Sequence, residues 1–160
     1  MADRDPGPFV ADPLAYDTDV LAWTLAQTAL LRARQFEALD LTNLIEEIGS
    51  LGREQGHAVQ SYLVVLLEHL LKLAVSVGRL PRRKWRRSAA IARAGIERRL
   101  RDSPSLKPRV SDLYAEAWID ARRLARLGLR EAEEHLVPAA PPFTLEQALD
   151  PDWFPPAPVA

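Results

Sequence analysis

Glu46, Glu47, Glu54, His57, Glu68 and His69 form the one group of side chains in this sequence whose types and spacing suit metal chemistry. Glu54-x-x-His57 is the i, i+3 pairing by which a helix offers a carboxylate and an imidazole to one ion, and Glu47 lies two turns before Glu54 on the same face. A two-metal centre needs a second Glu-x-x-His on another helix, and the sequence contains none. A single-ion set of Glu47, Glu54, His57 and His69 remains, provided that the chain bends between the helices that carry them. Against it stands a plainer reading: the carboxylates are solvated or paired to arginines, and His69 is a hydrogen-bonded interior residue.

Other chemistry is thinner. Ser61 and His57 are four residues apart and share a helical face, but the strained elbow and oxyanion donors of a serine hydrolase are missing, and helix-borne hydroxyls usually bond their own backbone. Arg130-x-x-x-x-His135 is similar to the motif of helical-bundle ribonucleases of the HEPN type, yet it falls outside the main helical run. The glycines are isolated and sit in helical context, so no phosphate-cradling loop is present. The sequence has no cysteine, which removes thiolate nucleophiles, disulfides and thiolate metal sites. No cofactor motif is found. An enzyme is therefore the lesser expectation.

Charge carries more. The 160 residues have a formal net charge of -1, which suggests no strongly charged partner until the chain is divided. Residues 1–78 carry -6, residues 79–109 carry +10 and residues 110–160 carry -5. The basic stretch places Arg79, Arg82, Arg83, Lys84, Arg86 and Arg87 around Trp85, with Arg93 beyond. Guanidinium forks suit phosphates and carboxylates, and an exposed Trp could stack on a base. Three readings stand open: pairing of the arginines within the fold with Trp85 buried, a nucleic acid, and an acidic protein, including a second copy of this chain. Flanking segments of opposite sign would repel a long duplex, so any nucleic-acid contact is local.

These groups must be positioned by helices. Leu and Ala number 25 and 24, against 10 Val, 5 Ile and 5 Thr, a composition that favours helix over strand. Prolines crowd the ends and are absent from residues 14 to 80, where helices belong. A first helix is expected after Asp17 or Thr18. A second, capped by Asp40 or Thr42, shows the clearest apolar stripe, Leu41, Leu44, Ile45, Ile48 and Leu51. Gly49, Gly52 and Gly56 then predict a bend or the close approach of another helix. Residues 58–77 are apolar on nearly every side and predict a central buried helix; Glu68, His69 and Lys72 count against a membrane span. A fourth helix is expected over residues 82–101 and a fifth from a Ser105 cap to Gly128. Thr144 and Gln147 match a capping box that introduces one short turn before Trp153 and Phe154.

The succession Tyr16-Asp17-x-Asp19, Trp23, Phe36-x-x-Leu39-Asp40-x-x-Asn43-Leu44-Ile45-Glu46-Glu47-Ile48, continued by Leu66-Leu67-x-His69-Leu70-Leu71-Lys72, Asp102-Ser103-Pro104-Ser105-Leu106 and Thr144-Leu145-Glu146-Gln147-x-Leu149-Asp150-Pro151, resembles the bacterial family described as domain of unknown function 29. The resemblance covers Tyr16 to Phe154. It implies an all-helical fold and brings no activity.

The expectation is an all-α protein: an extended segment at 1–15, a compact bundle of about five helices over 16–137, and a proline-rich tail at 138–160 that docks on the bundle. Without an apolar h-region near Met1 and without cysteine, it is read as cytoplasmic. Its expected role is a non-catalytic binding or regulatory module that presents the Arg79–Arg101 helix to an anionic partner. A metal-dependent enzyme and a structural homo-oligomer are the alternatives.

Overall fold

The computed structural model describes residues 15–78 and 81–158, and every regular element among them is helical. The expected extended segment before residue 15 and Arg79 lie outside the described residues. Seven helices follow in order: α1 (Ala15–Thr18), α2 (Val20–Arg32), α3 (Leu41–Val75), α4 (Arg82–Asp102), α5 (Val110–Leu127), α6 (Glu131–Glu134) and α7 (Leu145–Leu149). The chain divides into two units, Met1–Gly52 and Arg53–Ala160, and the division falls inside α3.

In the first unit the cap of α2 is Asp19, whose side chain accepts from the Ala22 N–H at 2.9 Å, rather than Asp17 or Thr18. The helix ends with Arg34 at φ 58°, while the N–H groups of Gln35 and Arg34 return to the carbonyls of Leu30 and Leu31. This is the Schellman closure, in which glycine normally takes the left-handed position. Asp40 opens α3: one carboxylate oxygen accepts from the Asn43 N–H, the other from Trp23 Nε1 at 3.1 Å and Asn43 Nδ2 at 2.6 Å. These bonds, that of the Asn43 side chain first, hold its carboxyl below the usual aspartate value. Tyr16 donates to Glu47 and packs edge-on to Trp23.

This polar network decides which face of α3 points inward, and it overturns the stripe reading. Asn43, Leu44, Glu47 and Ser50 are half-buried, whereas Leu41, Ile45, Ile48 and Leu51 are 58–70% exposed. The glycines do not interrupt the helix, since Gly49, Gly52 and Gly56 all lie within α3, and no close neighbour accounts for Gly52 or Gly56, where a methyl group would meet nothing within 4 Å. Residues 41–75 are long and apolar enough to cross a membrane by composition, but half of the most apolar stretch is buried within the protein.

In the second unit the later part of α3 is the central helix that its composition predicts. Leu63, Leu66, Leu67, Leu70 and Leu71 are fully buried, faced by Ala89, Ala92 and Ile96 of α4 and by Ala117, Trp118 and Ala121 of α5. Alanine and glycine on the facing helices let the axes approach. At Gly95 a methyl group would stand 2.6 Å from the Tyr62 ring, so Gly95→Ala has two opposed effects: about 1 kcal/mol gained in helix propensity and about 1–3 kcal/mol lost to overpacking. The expected net result in urea unfolding is a loss of about 1 kcal/mol, which turns into a gain in a Tyr62→Ala background. A stabilised single mutant would contradict the close approach.

Ser105 does not cap α5. It lies in a short 3-10 turn, Pro104–Arg109, that runs directly into Val110. The capping box at Thr144 and Gln147 is present with both bonds made. Beyond it Leu149, Trp153 and Phe154 pack against the core.

Candidate functional site on helix α4

Helix α4 divides its cations between two fates. Arg82, Arg93 and Arg99 turn inward and bond neutral oxygens. Arg82 Nη1 donates to the carbonyls of Leu73 (2.9 Å) and Ser76 (3.0 Å), closing the open end of α3, and burial followed by nearby Arg86 pulls its pKa down. Arg93, 6% exposed, donates from Nε to Ala148, from Nη1 to Pro151 and from Nη2 to Trp153, at 2.8, 3.2 and 2.8 Å, with its guanidinium 4.8 Å from the Phe154 ring centroid. Arg99 reaches Gln55 Oε1, while its buried Nε has no partner.

The outward set is Arg83, Lys84, Arg87, Arg98 and Arg101, continued by Lys107 and Arg109 on the following turn. Among these only Arg101 has an acidic neighbour, Glu97 at 3.9 Å with both side chains well exposed, and such a pair contributes little. Arg83, Lys84, Arg87, Arg98, Lys107 and Arg109 make no ion pair among the described residues. Between the two clusters of cations the same face shows Ile91, 59% exposed, with Ala90 and Ala94. Beside it runs an open groove of about 490 Å³ lined by Ala90, Ala94, Glu97, Leu100, Leu149 and Pro151.

Two residues of the expected basic site behave differently from the others. Trp85 is half-buried and packed against the core, so it is no free stacking platform. Arg86 is exposed but lies 5.0 Å over the Phe154 ring.

The metal-ligand candidates are not gathered. Glu47 accepts the Tyr16 hydroxyl, Glu54 and His57 are exposed, and His69 Nδ1 lies 2.8 Å from the Val65 carbonyl, which requires a hydrogen on that nitrogen. Glu68 pairs with Lys72. No three His, Asp or Glu side chains form a metal-holding group among the described residues. Ser61 donates to the His57 carbonyl oxygen at 2.9 Å, its own backbone. Arg130 is joined to Glu133, and His135 is exposed.

Two structurally decisive groups escape a reading by pattern. Arg93 had a signal: it is the only charged residue in Ser88–Ile96. Glu133 had none, standing in an acidic run. It is buried and accepts from Ser76 Oγ (3.0 Å), the Val77 N–H (3.2 Å) and Arg130.

Together these features define an all-helical protein with a predominantly cationic helix face. The chain belongs to the family described as Domain of unknown function DUF29, whose model matches residues 15–154. No curated protein and no solved structure matches it.

Proposed function

We propose that the protein is an interaction module whose α4 face docks an acidic protein partner. The observation that carries this reading is the row Arg83, Lys84, Arg87, Arg98, Lys107 and Arg109, which has no ion-pair partner among the described residues, while the inward arginines bond carbonyl and amide oxygens. Uncompensated like charges along one helix repel one another, a cost that a carboxylate-bearing partner removes. Packing of half-buried Trp85 against the core takes away a free ring for a base to stack on, while Ile91 and the adjoining groove suit the apolar side chains of a protein.

Fluorescence anisotropy with a labelled Leu/Glu amphipathic helical peptide tests it. The peptide is expected to bind at low salt, to weaken as salt rises, and to lose about tenfold or more in affinity to Arg87→Glu/Arg98→Glu protein. An absence of binding at low salt, indifference to the charge reversal, or tighter binding of a single-stranded oligonucleotide of equal charge would each overturn the reading.

A further inference from the structure

The first unit leaves its apolar residues outside. Among the described residues up to Gly52 only Trp23 and Leu30 are buried hydrophobics, whereas nine of the sixteen exposed large hydrophobics of the whole described chain lie there. Four of them, Leu41, Ile45, Ile48 and Leu51, recur along one side of α3 at 58, 70, 67 and 62% exposure. Leu21 and Leu25 of α2 are exposed to 71 and 64%. Such side chains leave several hundred Å² of aliphatic surface in water, on the order of the size at which patches mark protein contacts. Gly52, at the end of the stripe, is exposed, and a methyl group placed on it would meet nothing within 4 Å. A helix-interior glycine costs about 1 kcal/mol, and none of the described residues uses the access that it opens.

We infer that the partner of the α4 face is a second copy of this chain, which offers its Leu41–Ile45–Ile48–Leu51 stripe; the inference rests on the α4 reading above. Charge selects this pairing. Among residues 15–52 the exposed charges are Asp17, Asp19, Glu37 and Glu46 against Arg32 and Arg34, whereas residues 81–109 expose eight Arg and Lys against Glu97 and Asp102. Stripe against stripe would bring two acidic units together, and stripe against α4 opposes the signs. Shape agrees as well. The stripe from Leu41 to Leu51 and the α4 face from Arg87 to Arg98 are each about 15 Å long at the helical rise, and each has aliphatic side chains at its middle. Since every copy carries both faces, the contact is heterologous and extends until it closes on itself.

Sedimentation velocity on the full chain, across concentration and salt, tests the inference with two variants altered only at exposed positions: Ile45→Glu/Ile48→Glu, which spoils the stripe, and Arg87→Glu/Arg98→Glu, which spoils the α4 face. The wild type is expected to associate at low salt and to dissociate as salt rises. Each variant alone is expected to associate at least about tenfold more weakly, with unchanged circular dichroism. An equal mixture of the two is expected to form a heterodimer, because the intact stripe of one meets the intact α4 of the other. A wild type that stays monomeric overturns the inference, and so does association that survives in the wild type but is not restored in the mixture, which is the signature of stripe-to-stripe contact. A monomeric wild type that still binds the acidic peptide through α4 overturns the second-copy assignment alone; loss of peptide binding as well overturns both.

Discussion

Arg93→Ala is expected to melt on the order of 10 °C below the wild-type chain, the largest effect of any single polar substitution in the second unit. The side chain is buried and its three bonds all end on backbone carbonyls of the closing segment, Ala148, Pro151 and Trp153. Bonds from a charged donor contribute about 1.5–3 kcal/mol each, but they do not add fully, because freed carbonyls at the edge of the protein regain water. A net loss of about 3 kcal/mol follows. Burial works in the other direction: it disfavours the guanidinium and lowers its pKa, with Asp150 opposing that shift. Arg93→Lys should recover only a fraction, since one ammonium cannot reach the three acceptors that a planar fork spans. Calorimetry gives the midpoint, and the emission of Trp153 reports whether the tail leaves first. An unaltered midpoint would mean that the tail docks through its aromatics alone.

Glu133 provides the second large effect and a pH dependence. Its carboxylate gathers Arg130, the Ser76 hydroxyl and the Val77 N–H at the end of α3. The Arg130 hydrogen bond, helped by those from Ser76 and Val77, holds its pKa below the ordinary 4.5 in spite of burial. A depressed folded-state value means that the group's stabilisation is complete above the unfolded pKa of about 4.3 and is lost as pH falls through the lower folded value. Glu133→Ala should cost about 2–4 kcal/mol at neutral pH, because the buried Ser76 hydroxyl loses its acceptor and the Val77 N–H and Arg130 lose theirs. Glu133→Gln should keep most of the packing and flatten the acid limb of stability against pH. Urea midpoints between neutral pH and pH 3 measure both, and an acid limb equally steep in the Gln variant would assign that limb to other carboxylates.

What was legible in advance divides along physical lines. The limits of α4, the burial of the later part of α3 and the Thr144 capping box follow from local rules: a proline before, a Ser-Pro break after, an all-round apolar run, a hydroxyl three residues ahead of an amide. The stripe at Leu41 to Leu51 obeyed the same periodicity and still faces water. Periodicity finds an apolar face; it does not say whether this chain covers it, and here Asp40, Asn43 and Glu47 took the inner side through Trp23 and Tyr16. Trp85 sits half-buried in a run of cations because its neighbours at 89, 92 and 96 define the inward face, a placement that a charge count obscures. The candidate metal set needed its residues on two helices side by side, whereas Glu47, Glu54, His57 and His69 all lie on the one helix α3. Arg93 shows locally only as a lone cation among apolar residues, and the burial of Glu133 not at all, because the contacts with Ala148, Pro151, Trp153, Ser76 and Val77 that hold them inside lie 55–60 residues away in sequence.

That last separation bears on how the molecule is made. Arg93 and its acceptors at 148, 151 and 153 are brought together only once residue 153 has been synthesised. Until Trp153 clears the ribosome, a guanidinium destined for the interior must stay hydrated, and α4 cannot settle fully into its final packing. Among the described residues the longest-range polar contact, Arg93 to Trp153, is thus also the last to close during translation. A chain cut before residue 148 is therefore expected to leave Arg93 without its three acceptors and α4 without that anchor.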